Sequence, residues 1–290
     1  MQVIHPRWST WAFLVYAAGL SALFALEGWW TYFASEWSDA GFTFAALVLF
    51  VVAAAVAGAF RRTGHPVSAG VFALVAVGAF VGLLGALWSW FGWTLGSGGP
   101  FDGFHLSRLV LVLLSLVAAA VVLNVFRFPL LLVPSIGTGW YFVTDFVSNG
   151  GGWSAFVSIF VGLCVLVAAL VVDDGPSRAY GMWLHLAAGL LIGGGLLYFW
   201  HGGNVEWALV AAAAVLYIVF ADVTGRSSWA VLGAIGLLLA ASHFALEWTR
   251  VQFLFFNGGD ETVRGWVPPL VSSFVALVLV ALGLRSARRV

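Results

Sequence analysis

The chain alternates between long apolar segments and short polar ones. Leu, Ala and Val run continuously through each long segment instead of alternating with polar residues, and about 20 such residues cross a bilayer core as a helix. Helices are favoured because lipid offers no partner for backbone polar groups. Ten spans are predicted, at residues 11–33, 42–60, 67–93, 106–126, 128–147, 153–172, 182–200, 206–223, 229–248 and 268–284.

Composition supports this all-α membrane bundle. Of the 290 residues, 62% are hydrophobic and 8% are charged, whereas soluble domains carry about 25% charged residues. The formal net charge is zero, so the basic surface that nucleic-acid binding needs is absent from the sequence. We therefore expect one integral membrane domain over 1–290, without a soluble domain, and we exclude a soluble enzyme and a nucleic-acid partner.

The arginines predict the orientation of the spans. With the N-terminus in the cytoplasm, nine arginines lie on the inner side and three on the outer side, which follows the positive-inside rule. We expect a multi-pass protein of the cell (inner) membrane with both termini cytoplasmic. The first apolar stretch is longer than a secretory signal core and has no A-x-A pattern, so it is expected to remain as a span.

Short sequence echoes suggest internal repetition. Residues 24–27 and 244–247 both read FALE, and His-Pro precedes an apolar run at 5–6 and at 65–66. These echoes favour repeated helical hairpins, or an inverted five-plus-five repeat with halves 1–150 and 151–290. In its length, its ten predicted spans and its inner termini, the chain resembles the drug/metabolite transporters. No diagnostic motif accompanies this resemblance.

Ionisable residues collect near the predicted outer ends of the spans. This outer acidic and imidazole group is proposed to bind substrate or protons, and it comprises Glu27, Asp145, His201, His243 and Glu247. Carboxylates and imidazoles can relay a proton, hold a cation or bind a metal, and ionisable groups within spans favour a functional role. Glu27, His243 and Glu247 are the candidate metal ligands. The alternatives are that Glu247 pairs with Arg250 and that Asp145 and His201 are solvated helix ends.

Span five carries a predicted kink. Pro134 lacks the amide that would bond the carbonyl of Leu130, and Gly137 lowers local helix propensity. Interrupted spans line the binding sites of many transporters, so Pro134, Ser135 and Gly137 are a candidate gate. The alternative is an ordinary bend.

Tryptophans favour the outer side, where twelve of the sixteen are predicted to lie. One interpretation is an outer vestibule that encloses a ligand, and the other is a thick anchoring belt. The candidate vestibule residues are Trp29, Trp88, Trp90, Trp140, Trp200 and Trp248.

The leading functional hypothesis is a membrane transporter of a small solute, with proton coupling through the outer group. The alternative is a non-catalytic membrane subunit or scaffold whose Trp-rich outer face docks a partner. A metal-dependent intramembrane enzyme is the third hypothesis, and the enzyme class is left open with a non-enzyme favoured. No cofactor is expected: the absence of lysine excludes a retinal Schiff base, and the histidines do not predict a haem. Small-residue motifs leave a homodimer or membrane complex open.

Overall fold

The computed structural model describes residues 36–93, 105–147 and 151–249, with side chains to 244, and a few isolated positions between 21 and 32. These residues are helical, and no strand occurs among them. The eight helices are α1 (Asp39–Arg62), α2 (Pro66–Trp90), α3 (Leu106–Phe126), α4 (Leu132–Val147), α5 (Gly152–Asp173), α6 (Gly181–Phe199), α7 (Asn204–Thr224) and α8 (Ser227–Thr249).

All eight helices are long and apolar enough to cross a membrane, when α4 is counted with the 3-10 turn Pro129–Leu131 that precedes it. They coincide with predicted spans two to nine. The largest boundary differences are three residues, where α1 begins at Asp39 instead of 42 and α2 ends at Trp90 instead of 93. The prediction of an all-helical protein with several apolar helices of membrane-spanning length is confirmed for this part of the chain. Predicted spans 11–33 and 268–284 lie outside the described residues.

The packing divides the described helices into two compact units. The first unit contains α1 to α4, α5 up to Val157 and again from Val167, and α6 up to Ala187. The second contains Ser158–Leu166 of α5, the rest of α6 from Ala188, and the α7 and α8 hairpin. The proposed halves, 1–150 and 151–290, stay a prediction.

In the first unit α2 is the most enclosed helix, with 61% of its apolar window buried. Its glycine at position 70 lets Phe128 pack directly on the helix backbone, because a Cβ at Gly70 would lie 2.2 Å from Phe128 Cγ. Phe128 is 1% exposed and forms a cluster with Ala57 and Val71. Close packing of this kind holds α1, α2 and the turn before α4 together.

Polar contacts show that successive helices of the first unit run in opposite directions. The Ser89 hydroxyl donates to Asp39 Oδ1 at 2.9 Å, so the end of α2 lies beside the start of α1. The Trp88 indole N–H donates to the Ser107 carbonyl at 3.1 Å, which places the start of α3 at the same end. This end carries the residues predicted to face outwards, and we call it the predicted outer end.

Pro134 lies in the first turn of α4, where the missing amide is tolerated best. The chain enters α4 through the 3-10 turn Pro129–Leu131, so the change of helix type occurs just before Pro134. The Ser135 hydroxyl donates to the Leu131 carbonyl at 2.8 Å. Thr138 donates to the Pro134 carbonyl, also at 2.8 Å. These two hydroxyls therefore reinforce the start of the helix.

The second unit is built on the α7 and α8 hairpin. Ala214 and Leu237 form its buried cluster, and a Cβ at Gly236 would lie 2.9 Å from the Ala214 Cβ. On α6, a Cβ at Gly189 would lie 2.4 Å from Leu232 Cδ1. Small residues thus let the backbones of these helices approach closely, as they do in many membrane bundles.

Candidate functional site

A buried ion pair joins α3 to α4 at the predicted outer end of the first unit. Arg108 lies in the first turn of α3 and Asp145 in the last turn of α4, so antiparallel packing brings them together. The Arg108 Nε–H donates to Asp145 Oδ1 at 2.8 Å, and its Nη2 contacts the same oxygen. The side chains are 5% and 0% exposed respectively.

The second carboxylate oxygen of Asp145 is buried, and within the described residues nothing donates to this Oδ2 atom. A buried carboxylate oxygen without a donor is costly, because that oxygen has left water and gained no hydrogen bond in return. Such groups call for an explanation, and functional sites are one of the recognised explanations.

The pair is shielded from its surroundings by burial. Thr144, the residue before Asp145, is also fully buried, and its hydroxyl donates to the Trp140 carbonyl, so it does not serve Asp145 Oδ2. Because both side chains of the pair are almost fully buried, the attraction between them is strong and a change of charge on either has a large effect.

A second polar cluster lies at the predicted outer end of α7 and α8. The His243 ring stacks on Trp207 with centroids 4.7 Å apart. His243 Nε2 lies 3.0 Å from Asn204 Oδ1. The Trp207 indole N–H donates to the His201 carbonyl at 3.3 Å. Trp207 therefore contacts both histidines of the predicted outer group, and we call these residues the Trp207 cluster.

The predicted outer group is only partly visible. Glu27 lies outside the described residues, and so does the side chain of Glu247, although Thr249 at the end of α8 is described. His201 and His243 belong to the second unit, whereas Asp145 belongs to the first. The expectation that these five residues share one site, and that Glu27, His243 and Glu247 bind a metal, stays a prediction. Within the described residues, no three metal-ligating side chains come together.

The candidate gate residues are half-buried in α4. A Cβ at Gly137 would meet nothing within 4 Å, so packing does not require this glycine. The contacts of these residues do not distinguish a gate from an ordinary helix start, so the gate stays a prediction.

The candidate vestibule tryptophans have different environments. Trp88 is 7% exposed and hydrogen-bonded, whereas Trp90 is 53% exposed. Trp140 and Trp200 are half-buried. Trp29 and the side chain of Trp248 lie outside the described residues, so a common vestibule stays a prediction.

A further buried pair lies at the opposite end of the first unit. His185 is fully buried, and its Nε2 lies 2.9 Å from Asp173 Oδ2, while the Asp173 side chain is 18% exposed. This contact fastens the start of α6 to the end of α5.

Comparison with protein-family models, curated proteins and solved structures finds no match for this chain. Function is therefore argued from the residues and their geometry.

Sequence reasoning identified Asp145 but missed its partner. Arg108 was considered only as one of the three arginines predicted to lie on the outer side. The signal was present: an arginine in the first turn of one span and an aspartate in the last turn of the next must lie at the same end of an antiparallel pair.

Proposed function

We propose that this membrane-embedded protein transports a small solute, with the Arg108–Asp145 pair as the polar element that couples transport to protons. The observation that carries the proposal is the buried ion pair between two apolar helices, with Asp145 Oδ2 lacking a donor among the described residues. Ionisable residues inside membrane spans are costly and mark substrate paths and proton relays.

The coupling follows from the chemistry of the pair. When Asp145 is ionised, it holds Arg108 and keeps the outer ends of α3 and α4 together. A proton on Asp145 removes that charge and weakens the contact, which favours a state in which α3 and α4 separate. Alternation between two such states, each favoured by a different ligand, is what a coupled transporter requires.

The test uses full-length protein in liposomes that enclose a pH-sensitive dye. Inward gradients of one amino acid, one sugar, one nucleoside and one quaternary amine are imposed in turn. We expect one class to drive proton movement through the wild type. Asp145→Asn, which imitates the protonated state, should abolish solute-driven proton movement.

Asp39→Asn is the matched control, because Asp39 is an exposed carboxylate at the same end of the same unit. It should behave like the wild type. Proton movement equal to that of protein-free liposomes for all four classes would contradict the proposal. Wild-type coupling in Asp145→Asn would remove the pair from the mechanism.

One observation favours the scaffold hypothesis as a second candidate. Trp90, Phe91 and Trp93 are all more than half exposed at the end of α2, and their rings contact one another. Such a surface suits a partner protein. If it docks one, the wild type should run as a larger complex on native gels of mildly solubilised membranes, and Trp90→Ala/Trp93→Ala should run as the free protein.

A further inference from the structure

A cleft of about 270 Å³ lies between α6, α7 and α8 in the second unit. Its walls are almost entirely carbon. Glycines and leucines of α6, alanines of α7 and leucines of α8 are among the residues that line it. Tyr217 is one of its two residues with a polar side-chain atom, and the Tyr217 hydroxyl is occupied, since it donates to the Gly189 carbonyl at 3.0 Å.

Aromatic side chains pack closely at the end of the cleft where Tyr217 lies. Tyr217 packs edge-on against Trp229 at 4.8 Å, and Trp229 is 1% exposed. Gly194, in the second half of α6, is exposed, and a Cβ there would meet nothing within 4 Å. The space beside Gly194 is therefore open to the surroundings of the helix.

An apolar cleft in a membrane span takes an apolar occupant. Water would find no free polar partner in it, and apolar cavities of about half this size already bind small hydrocarbons in soluble proteins. The material that surrounds a membrane span is the acyl chains of lipids. A linear chain also suits a cleft that follows the helices from Gly189 towards Trp200.

The outer end of the cleft leads to the Trp207 cluster. Trp200 lines the cleft and His201 follows it directly; Leu239 lines the cleft one helical turn before His243. His201 Nδ1 lies 2.7 Å from the Tyr198 carbonyl, which can only accept, so Nδ1 is the donor of this hydrogen bond. Glu206, in the first turn of α7, places a carboxylate at this end of the helix.

The Glu206 carboxylate favours a headgroup that carries a cationic N–H donor. We propose that the cleft binds one acyl chain of a phospholipid whose headgroup carries an ammonium donor, as phosphatidylethanolamine does, with the headgroup beside His201 and Glu206. A quaternary headgroup such as choline offers no N–H donor to these groups. The site does not depend on the transport proposal, because it lies wholly within the second unit.

The test uses photo-crosslinking in liposomes. Full-length protein is reconstituted with phosphatidylethanolamine that carries a diazirine in the middle of one acyl chain, and the labelled peptides are mapped after irradiation. We expect labels concentrated on the segments of α6, α7 and α8 that contain Leu197, Ala213 and Leu239. Gly194→Leu should reduce this labelling about tenfold or more, because its side chain displaces at least two methylene groups of the lipid chain.

Two controls make the outcome decisive. Gly58→Leu, on α1, adds the same side chain at a glycine whose Cβ also meets nothing within 4 Å, and it should label like the wild type. Thermal unfolding in detergent checks that Gly194→Leu is folded. Equal labelling of a folded Gly194→Leu, or labels spread evenly over all helices, would overturn the site. Equal labelling by the phosphatidylcholine analogue would overturn the headgroup assignment.

Discussion

Replacing Asp145 by Asn should destabilise the protein strongly, because it removes the carboxylate that binds the buried Arg108 guanidinium. Arg108 is only 5% exposed, so water cannot take the place of the carboxylate without rearrangement. Removing one partner of a buried pair costs about 3–5 kcal/mol. In a chain of this size, that cost corresponds to a fall in the unfolding midpoint of roughly 6–20 °C.

The assay is thermal unfolding of detergent-solubilised protein, followed by circular dichroism. Arg108→Gln/Asp145→Asn removes both charges of the pair and should recover most of the lost midpoint, because neither charge is then buried opposite a neutral side chain. Asp39→Asn, at an exposed carboxylate, should cost at most about 0.5 kcal/mol. A wild-type midpoint in Asp145→Asn would refute the buried pair, and so would a double variant whose loss equals the sum of the two single losses.

Two other predictions concern packing and topology. Gly70→Ala should lower the unfolding midpoint by the equivalent of about 1–3 kcal/mol, because the new methyl group displaces the buried Phe128 ring. Gly58→Ala is the control, because a Cβ at Gly58 meets nothing within 4 Å. Equal midpoints for the two variants would contradict the packing of Phe128 on Gly70. In a background without Cys164, Gly64→Cys should react with an impermeant thiol reagent only from the cytoplasmic side, and Gly258→Cys only from outside. Cytoplasmic labelling of Gly258→Cys would contradict the ten-span topology.

The spans could be predicted closely because lipid imposes a length and an apolar composition on every crossing helix. The same uniform composition made the site difficult to predict. Continuous Leu, Ala and Val runs give no hydrophobic face, so the sequence could not show that α2 is the central helix of the first unit or that Gly70 receives Phe128. Asp145 was identified by its charge, whereas its partner required the pairing of helix ends.

The cleft was beyond sequence reasoning for a different reason. Small residues at Gly189 and Gly193 permit close helix contact, and Gly189 does meet Leu232 closely. Gly194 lies next to them and faces open space instead. Five residues separate the packed Gly189 from the unpacked Gly194, and that difference depends on tertiary geometry alone.

The central claim is that the Arg108–Asp145 pair holds α3 against α4 and releases it when Asp145 loses its charge. The direct measurement is the distance between spin labels at Leu106→Cys and Phe146→Cys, which are exposed positions beside the pair, in a Cys164→Ser background in liposomes. A pair at Phe44→Cys and Trp90→Cys, on α1 and α2, serves as the control.

We predict one short distance in the protein with Asp145, and a second, longer population in Asp145→Asn, with the control pair unchanged. Identical distributions in both proteins would contradict the claim, because the pair would then be a fixed structural contact.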